Sequence, residues 1–470
     1  MNYRKLGGLV LVLLLIPRPD LLRAEEPDVR SLTLNECVVR AIKNNLGVAV
    51  QVITARQAEA AVTQAGEKFL PLLSFDFYRD RQNSSSFSWI DSSDVSSTAA
   101  DSLSGGVTQN MPLGGSLTLG LSAGSYESNA RFQTINPYYS GQLSFNWTQP
   151  LLKDFGWDTS RKDIVIARNN NEIAVNDLKS ALIQTVFAVE RAYWELVYQI
   201  ESLAVQHQSL KLAEDLLEKS RKEVEIGTLA PKEVLTSQAE VASRKADILL
   251  SEMLVKDSAD TLRGLLNLGF EGELVPAETP AFAKPEANLE EALSAALTCR
   301  PDLQSSAIEI NNREADYSYA KNQMLPSLSL SAKYWSPGLS GDRILYLDDN
   351  PLTGIILGKV PGGSAAAIRD ALHLKYKNWS VALSLEIPLS TVLTRAAQAQ
   401  ARAGLDLQIA RKKQAEQTAA LEVRAAFRAV QTNYERVGAY RIASDLAAQK
   451  LAAEEAKLKV GLSDSFKVLQ

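Results

Sequence analysis

Side chains able to catalyse a reaction or hold a metal are scarce in this 470-residue chain. It contains two cysteines, Cys37 and Cys299, and two histidines, His207 and His373. The cysteines form no CxxC pair, and two thiols do not make a disulfide framework, so both read as small buried residues. His207 falls on an apolar helical stripe and reads as a packed or half-exposed residue. His373 lies in a loop-like stretch without a second ligand nearby, and no metal site is expected. Neither a nucleophile elbow nor a phosphate-binding glycine loop is read. Paired acidic residues are frequent on the helical stretches, where the solvated flanks of a coiled coil account for them. A net charge of -5 gives no global basic field for a nucleic acid. The expectation is a protein without catalytic, cofactor or metal residues, whose work is done by its architecture.

The elements that would build that architecture are unusual in length. Residues 1–24 read as a secretory signal peptide. Arg4 and Lys5 precede an apolar run of about eleven residues, too short to cross a bilayer as a helix, and cleavage is expected after Ala24. Between Asp163 and Ile226 there is neither proline nor glycine. Apolar positions there step by four and three through Leu182, Val186, Val189, Tyr193, Leu196, Ile200 and Leu203, a heptad seam. Ala420, Val423, Phe427, Val430, Tyr434 and Val437 repeat it. Long helices are expected over 163–226 and 396–460, each about 60 residues and so on the order of 90 Å at 1.5 Å per residue. A return helix is expected over 231–266, opening on Pro231. Rods of this length need partner helices along their sides.

Strands are expected near 72–80, 141–149, 327–335 and 379–387. In each, bulky apolar residues alternate with small polar ones, as Leu73, Phe75 and Phe77 do with Ser74 and Asp76. Leu143, Phe145 and Trp147 alternate with Ser144, Asn146 and Thr148, and Val381, Leu383 and Leu385 with Ser384 and Glu386. A half-buried soluble sheet shows this pattern, and so does a membrane barrel. Four main strands cannot close a barrel alone, because roughly eight are needed. An open sheet in lipid would leave bare edges, so either the sheet is soluble or several chains share one barrel. The serine-rich stretch Asn83 to Ser97, an extra hairpin near 102–124 turning at Pro112 to Gly115, and the stretch Ser336 to Ser364 read as long loops on one side of the sheet.

The chain also repeats itself. At an offset of 255, Leu34 meets Leu289, Glu36 meets Glu291 and Pro71 meets Pro326. At an offset of 234, "EIGTLAPKEVL" from Glu225 meets "KVGLSDSFKVL" from Lys459, so that Gly227 falls on Gly461. Two copies are expected, 25–268 and 289–470, around a proline-rich linker at 269–288. The second copy stops at Gln470, one turn into the counterpart of helix 231–266. That return helix is therefore expected to be missing, leaving one apolar face of the 396–460 rod bare.

The double repeat, the Leu-Pro before each first strand, "TQPLLKDFG" at 148–156 and the paired glycine turns resemble TolC-like outer-membrane efflux proteins over essentially all of the mature chain. The resemblance implies a mixed α and β membrane protein. It is a homotrimer in which each chain gives four main strands to one shared transmembrane barrel, continued by a periplasmic α-helical barrel. It implies a passive exit duct for small molecules or proteins, in a tripartite efflux or type I secretion system. An inner-membrane pump, proton-driven or ATP-driven, would act through a periplasmic adaptor. Ser74, Asp76, Asn146 and Glu386 would face the lumen, and outer-membrane lipid the other side.

In such proteins the helical tips carry a Val-Gly-Leu/Thr signature that meshes with the adaptor. Val460, Gly461 and Leu462 match it, and Ile226, Gly227 and Thr228 nearly do. The same glycines read as left-handed helix caps, so the turn would itself be the contact. Where the family places an acidic ring at the tip, the position six after each glycine is Glu233 in one copy and Lys467 in the other, so a closing ion pair is expected instead of a ring. The alternative is a soluble periplasmic coiled-coil adaptor or scaffold, which would not need four matched amphipathic strands.

Overall fold

A computed structural model describes residues 31–86, 94–269, 272, 274–284, 288–460 and 462. The signal-peptide segment 1–24 lies outside the described residues. Two short helices, α1 (Leu34–Asn44) and α2 (Leu46–Gly66), lead into four strands. These are β1 (Leu72–Ser85), β2 (Val95–Asn110), β3 (Ser116–Ser128) and β4 (Ile135–Pro150). After the single turn α3 (Trp157–Ser160) come α4 (Lys162–Glu225) and α5 (Pro231–Leu266). Then follow α6 (Leu289–Cys299), α7 (Pro301–Asn322), β5 (Ser327–Tyr346), β6 (Ile356–Val360), α8 (Ser364–Leu372), β7 (Asn378–Glu386) and α9 (Val392–Lys459).

Local chemistry sets many of these boundaries. Thr33 caps α1 with a capping box: its Oγ1 accepts from Glu36 N at 3.3 Å while Glu36 Oε2 accepts from Thr33 N at 2.9 Å. Asn45 ends α1 and opens α2, its Oδ1 accepting from the N–H groups of Gly47 and Val48. Pro231 opens α5, and Asn267 closes it in the left-handed conformation at φ 52°. Over 64 residues α4 contains neither proline nor glycine, so nothing in its backbone stops it.

The chain divides into two compact units. The described part of one comprises 31–50, 181–269, 272, 274–284, 431–460 and 462, and it is mostly helical. Its core gathers Cys37 and Ala41 of α1, Val189, Tyr193 and Leu196 of α4, and Ala259, Leu262 and Leu266 of α5, with Leu274 from the segment after α5. That segment straps the helices. Leu32 N donates to Val275 O and Ala277 N to Leu32 O, both at 3.0 Å. The Tyr193 hydroxyl, on a side chain only 1% exposed, donates to Leu32 O and accepts from Glu278 N, both at 3.1 Å. Further along, Phe282 stacks on Tyr434 with ring centroids 4.8 Å apart.

The other unit covers 51–180 and 286–430 and holds the sheet. All its ladders are antiparallel in the order β1-β2-β3-β4-β5, with β7 beside the first half of β5 and β6 beside its far end. Four main strands were expected, and among the described residues the sheet has seven. The stretch around 102–124 lies within the sheet as β2 and β3, between β1 and β4, and Ser336 to Ser364 supplies the far half of β5, β6 and the start of α8. In β2 the alternation is hard to see because Gly105 and Gly106 have no side chain to mark a face. Beside the sheet, Asn169 donates to buried Asn312 at 2.8 Å, tying the start of α4 to α7.

Arg300 joins α6 to α7. Its guanidinium donates to both carboxylate oxygens of Asp302, at 3.1 and 2.8 Å, and to Glu422 of α9 at 2.6 Å. The Arg300 bonds, opposed in part by burial, hold the Asp302 carboxyl below its usual range. Such a group stabilises the fold at pH above its unfolded pKa, near 4, and loses that contribution as pH falls through the lower folded value. Hydrogen exchange at 299–304 is expected to accelerate below about pH 4, and Asp302→Asn should flatten that dependence. In the helical core, Tyr193→Phe keeps the ring but leaves Glu278 N without its acceptor. A loss of about 1–3 kcal/mol is expected in urea unfolding, with faster exchange at the Glu278 amide.

Candidate functional site

The ladders fix which side chains share a face of the sheet, because directly paired residues point the same way and successive residues point oppositely. One row reads Leu73, Val107, Leu119, Phe145, Tyr334 and Trp379 across β1, β2, β3, β4, β5 and β7. On the same face lie Phe75, Phe77, Leu103, Leu121, Val381, Leu383 and Leu385, all exposed, with Phe75 at 72% and Trp379 at 73%. The opposite face carries the row Thr108, Thr118, Asn146, Lys333 and Ser380. Ser74, Asp76, Asn146 and Glu386 all belong to this polar face, as their ladder partners Gly106, Ser104, Lys333 and Ser327 place them. One side of the sheet thus carries a broad exposed apolar surface, ending on β1 and β2 at the ion pairs of Arg79 and Arg81 with Asp101. The other is mostly polar, with Tyr78, Tyr126 and Trp335 among its residues.

Near the far end of the apolar face α8 packs flat on the sheet. Gly141 and Gly338 are paired there, and the Ala367 carbonyl occupies the space where a Cβ on Gly338 would stand. Ala367, Ala371 and Ser336 are fully buried in that contact. Nothing in the sequence pattern announces it beyond the two glycines.

At the turn between α4 and α5, Gly227 takes φ 85°, and its N–H donates to Val224 O at 3.0 Å. Thr228 N and Thr228 Oγ1 both donate to Glu223 O at 2.9 Å, satisfying a terminal carbonyl of the helix. Ile226 stands 77% exposed at this corner, and Glu233 is exposed in the first turn of α5. At the end of α9, Leu462 N donates to Lys457 O at 2.9 Å, and Val460 and Leu462 are exposed. Gly461 and Lys467 lie outside the described residues, so the expected Glu233 to Lys467 pair has no described geometry.

The remaining chemistry-bearing residues are dispersed. Cys37 is buried, and burial pushes its thiol up to about 11, away from nucleophilic use. Cys299 was expected to be buried and is exposed, because it is the last residue of α6 and faces solvent. His207 and His373 are exposed. Among the described residues no three acidic, His or Cys side chains are placed to hold a metal ion. The string Gly-Leu-Ser-Ala-Gly at 120–124 has the spacing of a nucleophile elbow but sits inside β3, not at a strand-to-helix turn. No described helix is long and apolar enough to cross a membrane.

A family model, outer membrane efflux protein, matches residues 113–268 and 292–470. The chain belongs to that family. Its members are TolC-like channels of the outer membrane that act in transport, and they are not enzymes. Among curated proteins none matches in sequence. Among solved structures the fold is similar to VceC, an outer membrane protein of Vibrio cholerae, with 16% identity and a TM-score of 0.64 over 93% of this chain and 88% of that one. It is similar to the CmeC outer membrane channel of Campylobacter jejuni, with 15% identity and a TM-score of 0.65 over 95% and 84%. The outer-membrane channel OprN gives 17% identity and a TM-score of 0.65 over 93% and 82%.

The turn makes a contrast between two glycines. Gly227→Ala forces a side chain into the left-handed region and should cost about 1–2 kcal/mol, seen as faster hydrogen exchange over 223–231. Gly264→Ala, in α5 with open space around it, should be neutral or stabilise by up to about 1 kcal/mol.

Proposed function

We propose that three copies of the chain join sheet edge to sheet edge into one shared β-barrel through the outer membrane, continued by a periplasmic barrel of the long helices. The assembly is a passive exit duct in a tripartite efflux or type I secretion system. An inner-membrane pump supplies the work through a periplasmic adaptor. The observation that carries this is the two-sided sheet. Its exposed apolar face would be a large unpartnered patch in water. Its outer strands β1 and β7 would leave backbone groups bare in lipid unless another copy pairs with them. Sharing the barrel resolves both. The polar face, with Ser74, Asp76, Asn146 and Glu386, then lines the lumen.

Exposed apolar residues on the helices, among them Phe187 on α4, Leu250 on α5 and Val430 on α9, suit contacts between copies. The two-copy organisation draws support from equal offsets. α1 and α6 begin at Leu34 and Leu289, and β1 and β5 at Leu72 and Ser327, each pair 255 apart. The bonds from Thr228 N to Glu223 O and from Leu462 N to Lys457 O are 234 apart. The tips Ile226, Gly227 and Thr228, and Val460, Gly461 and Leu462, would seat an adaptor, a reading that the exposed Ile226, Val460 and Leu462 support. Glu233 and Lys467 are the sequence positions proposed for a gate at those tips.

Extraction from envelopes should require detergent, and light scattering in detergent should give about three chain masses once bound detergent is subtracted. A monomer that stays soluble without detergent or lipid would overturn the proposal.

A further inference from the structure

We infer that the hairpin of β2 and β3 is channel wall, and that the shared barrel therefore has eighteen strands, six from each of three chains. The inference rests on the trimeric channel proposed above and concerns its width.

Length is the first ground. β2 and β3 have 16 and 13 residues, against 14 and 16 in β1 and β4. A tilted strand needs about 9–11 residues to cross a bilayer, so all four are long enough. Bonding is the second. β2 pairs with β1 along its whole length, from Leu72↔Thr108 to Ser85↔Val95, and β3 pairs with β4 from Ser116↔Thr148 to Tyr126↔Tyr138. Among the described residues β1 has its ladder with β2 and none with β4, so without the hairpin β1 would not belong to the sheet.

Sidedness is the third. The hairpin residues Val107 and Leu119 continue the apolar row between Leu73 and Phe145 without a break. Where β2 lacks a bulky residue, at Gly105, the ring of Phe75 lies over it, 3.0 Å from where a Cβ would stand. An aromatic side chain covering a strand glycine in this way keeps the apolar surface closed. A surface loop would need neither the row nor the cover.

The parity also allows closure. Neighbouring strands alternate in direction, so after six strands β7 runs opposite to β1. The β7 edge of one copy can therefore extend an antiparallel ladder onto the β1 edge of the next. Six strands fall short of the roughly eight that close a barrel, so a second copy of this same chain is the partner each edge fits. Barrel diameter grows roughly linearly with strand number, so the lumen would be about half as wide again as the one four strands per chain would give. On the lumen side the hairpin offers Ser104, Gly106, Thr108, Thr118, Gly120 and Ser122, small and uncharged, with Tyr126 towards its far end. That third of the wall admits bulk and selects little by charge.

The test places spin labels, one at a time, in a Cys299→Ser background of the full chain reconstituted in phospholipid vesicles. Leu103→Cys and Leu119→Cys report the apolar face of the hairpin, and Ser104→Cys and Ser122→Cys its other face. Val381→Cys on β7 is the reference for wall that does not depend on the hairpin. The ratio of collisions with oxygen, which partitions into lipid, to collisions with a water-soluble nickel chelate is expected to be several-fold higher at 103, 119 and 381 than at 104 and 122. If 381 meets lipid while all four hairpin sites meet water alike, the hairpin is a loop and this inference fails, though the channel stands. If 381 also meets water, the channel proposal fails with it.

Discussion

Hydrocarbon offers no hydrogen bonds, so a sheet in a membrane must satisfy every backbone N–H and C=O within protein. That constraint organises everything else about this chain. Its sheet is largely apolar on the face that would meet lipid and mostly polar on the face that would meet water, yet among the described residues β1 and β7 each ladder on one side only. Two unlike faces and two open edges are what the proposed shared barrel would need from each chain.

The helices answer the same need differently. An α-helix satisfies its own backbone, so α4 and α9 can run 64 and 68 residues without edge partners. What they lack is side-chain cover. In the helical unit cover comes where α1, α4 and α5 meet and the strap from Leu274 to Glu278 closes over Tyr193. Elsewhere large apolar side chains such as Ile183, Phe187, Ile442 and Leu446 stay exposed. Such surfaces suit a rod that packs against copies of itself. The turn between α4 and α5 is built from backbone geometry instead. A left-handed glycine and a shared carbonyl acceptor turn the chain in a few residues and leave Ile226 projecting.

Much of this was legible in the sequence, and the reasons are specific. A proline- and glycine-free run with a heptad seam through Val189, Tyr193 and Leu196 is one helix, with those three residues in its core. The strands around Phe75, Phe145 and Leu383 could be read because a bulky apolar residue recurs at every second position. β2 was harder, since Gly105 and Gly106 interrupt its alternation and Ser96, Ser97, Thr98, Ser102 and Ser104 leave few bulky side chains to mark a face. Only the ladder shows that Val107 and Leu119 stand in line with Leu73 and Phe145. The seat of α8 on Gly141 and Gly338 was out of reach as well, because it depends on two glycines far apart in sequence meeting across a ladder. For Cys299, composition favours burial, but the orientation of α6 puts the thiol in solvent.

Cross-linking between copies tests the shared wall most directly. In the Cys299→Ser background, Ser74→Cys on β1 combined with Ser380→Cys or Ser384→Cys on β7 would be treated in native membranes with a short bifunctional maleimide. If β1 of each copy lies beside β7 of the next, covalent dimers and trimers form from the double variants and neither single variant alone extends beyond a dimer. If the double variants yield only monomers, the two edges do not meet and there is no shared barrel.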